Sequence, residues 1–259
     1  MQQYYVVDSA NAPWKRSSSE GVSFDCQILL SGDDGGPEAL RFRFDDCPSV
    51  YAHMHLTAQF QLLLNGAMDF PRGVKHLEAL AIHYTDHNMP YGPFAVSGGH
   101  EMLVLHPKAG GIISMANLDA RRQINLRGRL FAALASDVEW QPMPTQDGHD
   151  TGQYKLLMPP GYGPAAVVVK APPNASLTMP PAEFGRYEVV VEGTALFDGT
   201  EVSAPGFRYY LGTEAASPLM TGANGATVAF LTFDRNALEG GLTGTGIAVE
   251  AAQAMARAI

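Results

Sequence analysis

Apolar and polar residues alternate along much of this chain with the two-residue period of a half-buried β-strand. Runs such as FDCQILLSG, ALRFRFDD, QFQLLLNG, ALAIHYTD, EMLVLHP, AAVVVKAP, RYEVVVEG, FRYYLG and ATVAFLTFD read as short strands. The turn-forming segments GDDGGP, PPGYGP, FDGT and GANG punctuate them. A helical period is found in two places. Residues 118–137 carry apolar residues at Ile124, Leu126, Leu130, Phe131 and Leu134, although Gly128 weakens a helix there, and the Ala-rich stretch 246–259 predicts a C-terminal helix. The pattern is that of an all-β sandwich or barrel with helical additions.

The strands repeat. At a shift of 127 residues Leu29-Leu30 falls on Leu156-Leu157, Gly36-Pro37 on Gly163-Pro164 and Ala39 on Ala166. Ser49 falls on Ser176, Gly66 on Gly193 and Phe70 on Phe197, and FQLLLNG matches YEVVVEG in type throughout. Two copies of one β unit explain this register, with residues 1–112 and 151–259 as lobes and 113–150 as their connection.

With 46% hydrophobic residues, the 259-residue chain has ample material for packed cores. A formal net charge of -9 provides no basic face for nucleic acid. No apolar run is long enough for a membrane helix, and the N-terminus lacks the apolar core of a secretory signal, so a cytoplasmic location is expected. Cys26 and Cys47 then read as two thiols rather than a disulfide, and the NAS sequon at Asn174 carries no weight.

In YAHMHLTAQFQLLLNG (51–66), positions 53, 55, 57, 59 and 61 are His, His, Thr, Gln and Gln. On a strand these share one face, with His53 and His55 roughly 6–7 Å apart. That face holds no Lys, Arg, Asp or Glu, the usual occupants of a solvated surface. It is either a wet face or the lining of a cavity in which both imidazoles reach one ion. The opposite face, Met54, Leu56, Phe60 and Leu62, needs cover from a homodimer partner or from the second lobe.

The spacing His-x-His, three residues, Gln59, six residues, Gly66 resembles the first motif of the cupin superfamily, with Gln in place of the usual Glu. HYTDHNMPYGP resembles the second motif, with Asp86 at its Pro position, Asn88 at its Gly position and Tyr91 at its final metal-ligand His. Together with the repeat, the resemblance implies a bicupin: two jelly-roll lobes, the second without metal ligands, since His53, His55 and Gln59 fall there on Pro180, Ala182 and Arg186. It further implies one divalent transition metal in the first lobe, Fe(II) being favoured over Mn, Ni, Cu or Zn. Its ligands would come from His53, His55, Gln59, His83 and Tyr91.

Two imidazoles and an amide leave such an ion uncompensated, which favours a small anionic substrate. Open coordination positions suit an oxygenase. The alternatives are a redox-neutral isomerase or lyase, with Tyr84, Asp86 or Tyr91 moving a proton, and a metal-free small-molecule binding protein. His87 reads as a turn residue, His100 and Glu101 as a strand start, and His106 as a strand end. Arg121, Arg122, Arg127 and Arg129 read as a solvated face.

Overall fold

A computed structural model describes residues 3–71, 76–143, 152–158 and 163–239. The chain divides into two compact units, one of Met1–Ala12 with Ala135–Arg235, the other of Pro13–Leu134 with the residues from Asn236 onward. Each is built on one nine-stranded antiparallel sheet. In the N-terminal unit the strand order is Leu130–Leu134, Ala81–Thr85, Gln59–Asp69, Phe94–His106, Glu38–Phe44, Val22–Ser31, Lys15–Ser19. The C-terminal unit has the same order at a shift of 127: Gln3–Val7, 127 residues before Leu130–Leu134, leads, and the strands near 127 residues further on follow, Gly206–Gly212, Ala182–Phe197, Leu219–Thr232, Ala165–Ala171, Gln153–Met158 and Gln141–Pro142. The all-β reading and the repeat both hold.

The exception to a simple two-halves division is the first strand of each repeat. Gln3–Val7 pairs with Gly206–Gly212, and its counterpart Leu130–Leu134 pairs with Ala81–Thr85. Each half of the sequence lends its first strand to the sheet of the other.

The helix expected over 118–137 is therefore corrected. A short 3-10 turn spans Ala120–Gln123, a turn closed by Gly128 N–H on the Asn125 carbonyl at 3.0 Å follows, and Leu130–Leu134 is a strand. A helix would leave the backbone of Ala81–Thr85 without this partner, and five paired residues outweigh a modest helical periodicity. The expected helix at 246–259 lies outside the described residues. No described helix is long and apolar enough to cross a membrane.

The scaffold constraint common to both halves is glycine at 66 and 193. Both have positive φ, 70° and 80°. A Cβ on Gly66 would stand 2.5 Å from the Ser97 carbonyl oxygen, and one on Gly193 2.4 Å from that of Gly225. Only a residue without a side chain lets the bulged neighbour approach.

The cores are apolar. Phe24, Leu63, Met68, Phe94, Met102 and Val104 pack in the N-terminal unit. Val190, Phe197, Val202, Leu219, Val228 and Phe230 do so in the C-terminal one. Met54 and Leu56, expected to need external cover, are buried against Ile113 with Met115 and Ile124. Phe60 and Leu62 are fully buried too. Cys26 and Cys47 are free thiols.

One polar network is buried in the C-terminal unit. Arg186 donates twice to Glu188 Oε1, at 3.0 and 2.8 Å, and Arg208 Nε donates to Glu188 Oε2 at 2.9 Å. The remaining guanidinium donors reach the Pro180 and Ser217 carbonyls at 2.7 and 2.9 Å. All three side chains are at most 1% exposed, so the pairs are unscreened. The Glu188→Gln substitution strands two buried guanidinium groups and is expected to destabilise the chain by about 3–5 kcal/mol. Urea unfolding of the full chain measures this; a loss below about 1 kcal/mol would show that the network is not holding charge.

Candidate functional site

The strand His53–His55 is short, and two backbone pairings hold it. It runs antiparallel to Ile112–Ser114. His53 also exchanges both backbone hydrogen bonds with Tyr91, N–H to carbonyl at 3.1 Å and carbonyl to N–H at 2.9 Å. Direct opposition on a β ladder brings side chains together, which is why a tyrosine 38 residues away in sequence meets the histidines. The turn that delivers Tyr91 carries Asn88 at φ 53°, as its Gly-like place in the motif requires, and Asn88 N–H donates to the His55 carbonyl at 2.7 Å.

The strand pleat decides the question left open by the sequence. Met54 points into the apolar cluster, while His53 and His55 line a cavity of about 210 Å³ inside the N-terminal unit. Their ring centroids are 5.3 Å apart. The Tyr91 hydroxyl sits between them, 2.7 Å from His53 Nε2 and 3.2 Å from His55 Nε2. Gln61 Nε2 donates to the same oxygen at 2.9 Å, and Gln61 Oε1 accepts from His83 Nδ1 at 2.7 Å.

Proton bookkeeping exposes an imbalance. His53 Nδ1 lies 2.8 Å from the Tyr51 carbonyl, so it carries the proton and Nε2 presents a lone pair. The Gly111 backbone offers His55 an acceptor as well. Two imidazoles thus turn toward one phenol that has a single proton to give. His83 Nε2 and Gln59 Oε1 are buried with no hydrogen-bond partner. Burial holds the imidazoles neutral: it pulls the His53 pKa down to about 4 and that of His83 to about 3, and that of His55 well below the ordinary value. Burial likewise pushes the Tyr91 hydroxyl above its ordinary pKa, against the lowering effect of the two glutamine amides.

The other expected site residues are placed as follows. Gln59 donates to Thr85 Oγ1 at 3.2 Å and is absent from the cavity wall, where Gln61 stands instead. Both have the same strand parity, so the motif spacing could not choose between them. His83 is spent on Gln61 and packs against Phe70, and among the described residues no three His, Cys, Asp or Glu side chains come together as ligands. The oxygen donor that meets both imidazoles is the Tyr91 phenol.

Tyr84 and Asp86 are off the cavity. Tyr84 donates to Asp86 Oδ1 at 2.8 Å, and Arg129 clamps both carboxylate oxygens at 2.8 Å. Burial alone would raise the Asp86 pKa; the Arg129 and Tyr84 bonds outweigh it and lower it. The pair secures the turn before Tyr91, and Arg129 is no longer part of a solvated face. His87 is half-buried, and His100 is buried beside Phe44.

Three residues of the wall escaped the sequence reading: Tyr51, Glu38 and His106. His106, expected only to end a strand, is buried with its ring centroid 5.0 Å from that of His55. Strand parity would have found it, since it follows Met102 and Val104 on the inward side.

No protein-family profile matches the chain, and no curated protein matches it in sequence. Solved structures do match in shape. A proposed dioxygenase of Nostoc punctiforme aligns over 94% of this chain and 87% of its own, at 13% identity and TM-score 0.62. The Lactobacillus farciminis oxalate decarboxylase–formate complex aligns over 89% and 86%, at 11% and 0.61. The fold is that of a bicupin. The bacterial pirin YhhW of Escherichia coli, in complex with nickel(II), aligns over 90% and 99%, at 7% and 0.54.

The donor set of this site suits a divalent ion. Imidazole nitrogens and a phenol oxygen are ligands for late first-row metals, and an ion would satisfy lone pairs that no proton serves. The set departs from the motif at two ligand positions, with Gln59 for the carboxylate and Tyr91 for the final His.

The buried imidazoles make stability depend on pH. Folding lowers the pKa of His53 and His100 to about 4 and of His83 to about 3, from 6.5. Below 6.5 the unfolded chain binds protons that the folded chain refuses, so stability is full above that pH and falls as pH drops toward 4. The thermal midpoint of chelator-treated protein is expected to decline steeply across this window; a flat profile would contradict the burial of neutral histidines.

Proposed function

We propose that the N-terminal unit is a metal-dependent enzyme site, with His53, His55 and Tyr91 as ligands of one divalent ion, performing oxygenase-type chemistry on a small organic molecule. The observation that carries this reading is the surplus of buried lone pairs around the single Tyr91 proton. The named dioxygenase and the nickel-bound pirin among the structural neighbours support it.

When bound, such an ion supplies Lewis acidity and open positions for substrate and O₂. The rest falls to the chain. The Tyr51 carbonyl fixes the His53 tautomer, Gln61 and His83 hold the phenol in place, and the Asp86–Arg129 clamp secures the turn behind it. Phe24, Leu40, Phe42, Phe94, Met102 and Val104 give the cavity an apolar wall that excludes water and receives the body of a substrate. The C-terminal unit has no part in the chemistry: where the first repeat has Gln59 and Gln61, it has the paired Arg186 and Glu188.

One specific observation favours a second reading. The Tyr91 hydroxyl already lies within hydrogen-bond distance of His53, a closed arrangement fit for a metal-free binding pocket. Elemental analysis separates the two. Protein purified without added metal is expected to hold about one ion per chain, lost in the His53→Ala and His55→Ala variants without change in secondary structure. Wild-type protein that carries no metal and gains no thermal stability from Fe(II), Mn(II), Ni(II) or Zn(II) would leave the binding pocket as the function. Oxygen uptake by the Fe(II)-loaded protein on substrate addition tests the oxygenase chemistry; turnover without uptake means an isomerase or lyase.

A further inference from the structure

The cavity wall is graded along two paired strands. Antiparallel register sets Met102 opposite Phe42, Val104 opposite Leu40 and His106 opposite Glu38. All six line the cavity, so two apolar pairs lead to one pair of a carboxylate and an imidazole. The acidic end is anchored. Gly110 N–H donates to Glu38 Oε2 at 3.0 Å, His106 Nε2 stands 3.8 Å from that oxygen, and His106 Nδ1 lies 3.1 Å from the Ala58 carbonyl. Through the contact of His106 with His55, this carboxylate adjoins the Tyr91 cluster. Among the lining residues Glu38 is the only Asp, Glu, Lys or Arg.

We infer that Glu38 sets the specificity of the cavity: it admits a molecule with an apolar, ring-sized body whose polar end donates a hydrogen bond, a hydroxyl or an amine, and it rejects carboxylates. A carboxylate side chain is purely an acceptor, so it rewards a donor. It repels an anion held in the same low-dielectric space, and no Lys or Arg on the wall offsets the repulsion. The anionic substrate expected from the sequence rested on the charge of the ion alone. This inference rests on the cavity being the substrate site, and it holds with or without the ion.

Calorimetric titration of chelator-treated full-length protein with 4-methylphenol, benzylamine and 4-methylbenzoate tests it. Wild type is expected to bind the two donors at least about tenfold more tightly than the benzoate. The Glu38→Gln substitution preserves the acceptor for Gly110 and should bring phenol and benzoate to within about threefold of each other. Equal wild-type affinity for phenol and benzoate, no binding of any probe, or an unchanged ratio in the variant would each overturn the assignment. Elemental analysis of the wild-type protein before chelation keeps the two failures apart: metal-free protein with the tenfold preference supports Glu38 and sinks the enzymatic reading, and metal-bearing protein without the preference does the reverse.

Discussion

A single phenolic proton stands among more buried lone pairs than it can serve. His53 and His55 both turn Nε2 toward the Tyr91 hydroxyl, and His83 and Gln59 each bury an acceptor with nothing to accept. Unsatisfied polar groups of this kind cost about 1–3 kcal/mol each, and an ordered water, an ion or a ligand relieves that cost. The backbone is arranged to hold them: two hydrogen bonds lock His53 to Tyr91, and the 86–91 turn is tied to His55 and to Arg129. Preorganisation of this kind is what the proposed binding of a cation or a donor-bearing molecule would need.

The two halves show how one scaffold reaches opposite ends. Both keep the same strand order and the same glycine bulge, at Gly66 and Gly193. Where the N-terminal half has Gln59, Gln61 and Ala81, the C-terminal half has Arg186, Glu188 and Arg208. There the chain supplies the interior charge and its partners itself: each guanidinium donates to one oxygen of Glu188, and its other donors reach backbone carbonyls. The guanidinium groups need no ligand. The N-terminal half instead keeps an open cavity rich in acceptors, with Glu38 the one charged residue among those lining it.

Much of this was legible in the sequence, and the rest was hidden for definite reasons. Alternation marked the strands, and the 127-residue shift marked the repeated strand order though not the bounds of the two units, because side-chain period and repeat spacing are local properties. The shared face of His53 and His55 followed from strand parity, and the positive φ of Asn88 from its place in the turn. The exchange of first strands was not legible, since pairing across halves leaves no local mark, and it turned an apparent helix into the strand Leu130–Leu134. Gln61 replaced Gln59 because both lie on one face and only the closing of the sheet chooses between them. Glu38 and His106 were missed although each shares parity with its apolar neighbours; a titratable residue in register with a core face was the available signal. Tyr84 and Asp86, chemically attractive in the sequence, are consumed by Arg129.

Anomalous diffraction from crystals soaked in a divalent transition metal tests the account most directly. It predicts one peak in the N-terminal unit within about 2.0–2.3 Å of His53 Nε2, His55 Nε2 and the Tyr91 oxygen, with the phenol drawn away from its hydrogen bond to His53. A map without that peak, with the tyrosine still bridging the two imidazoles, would contradict it.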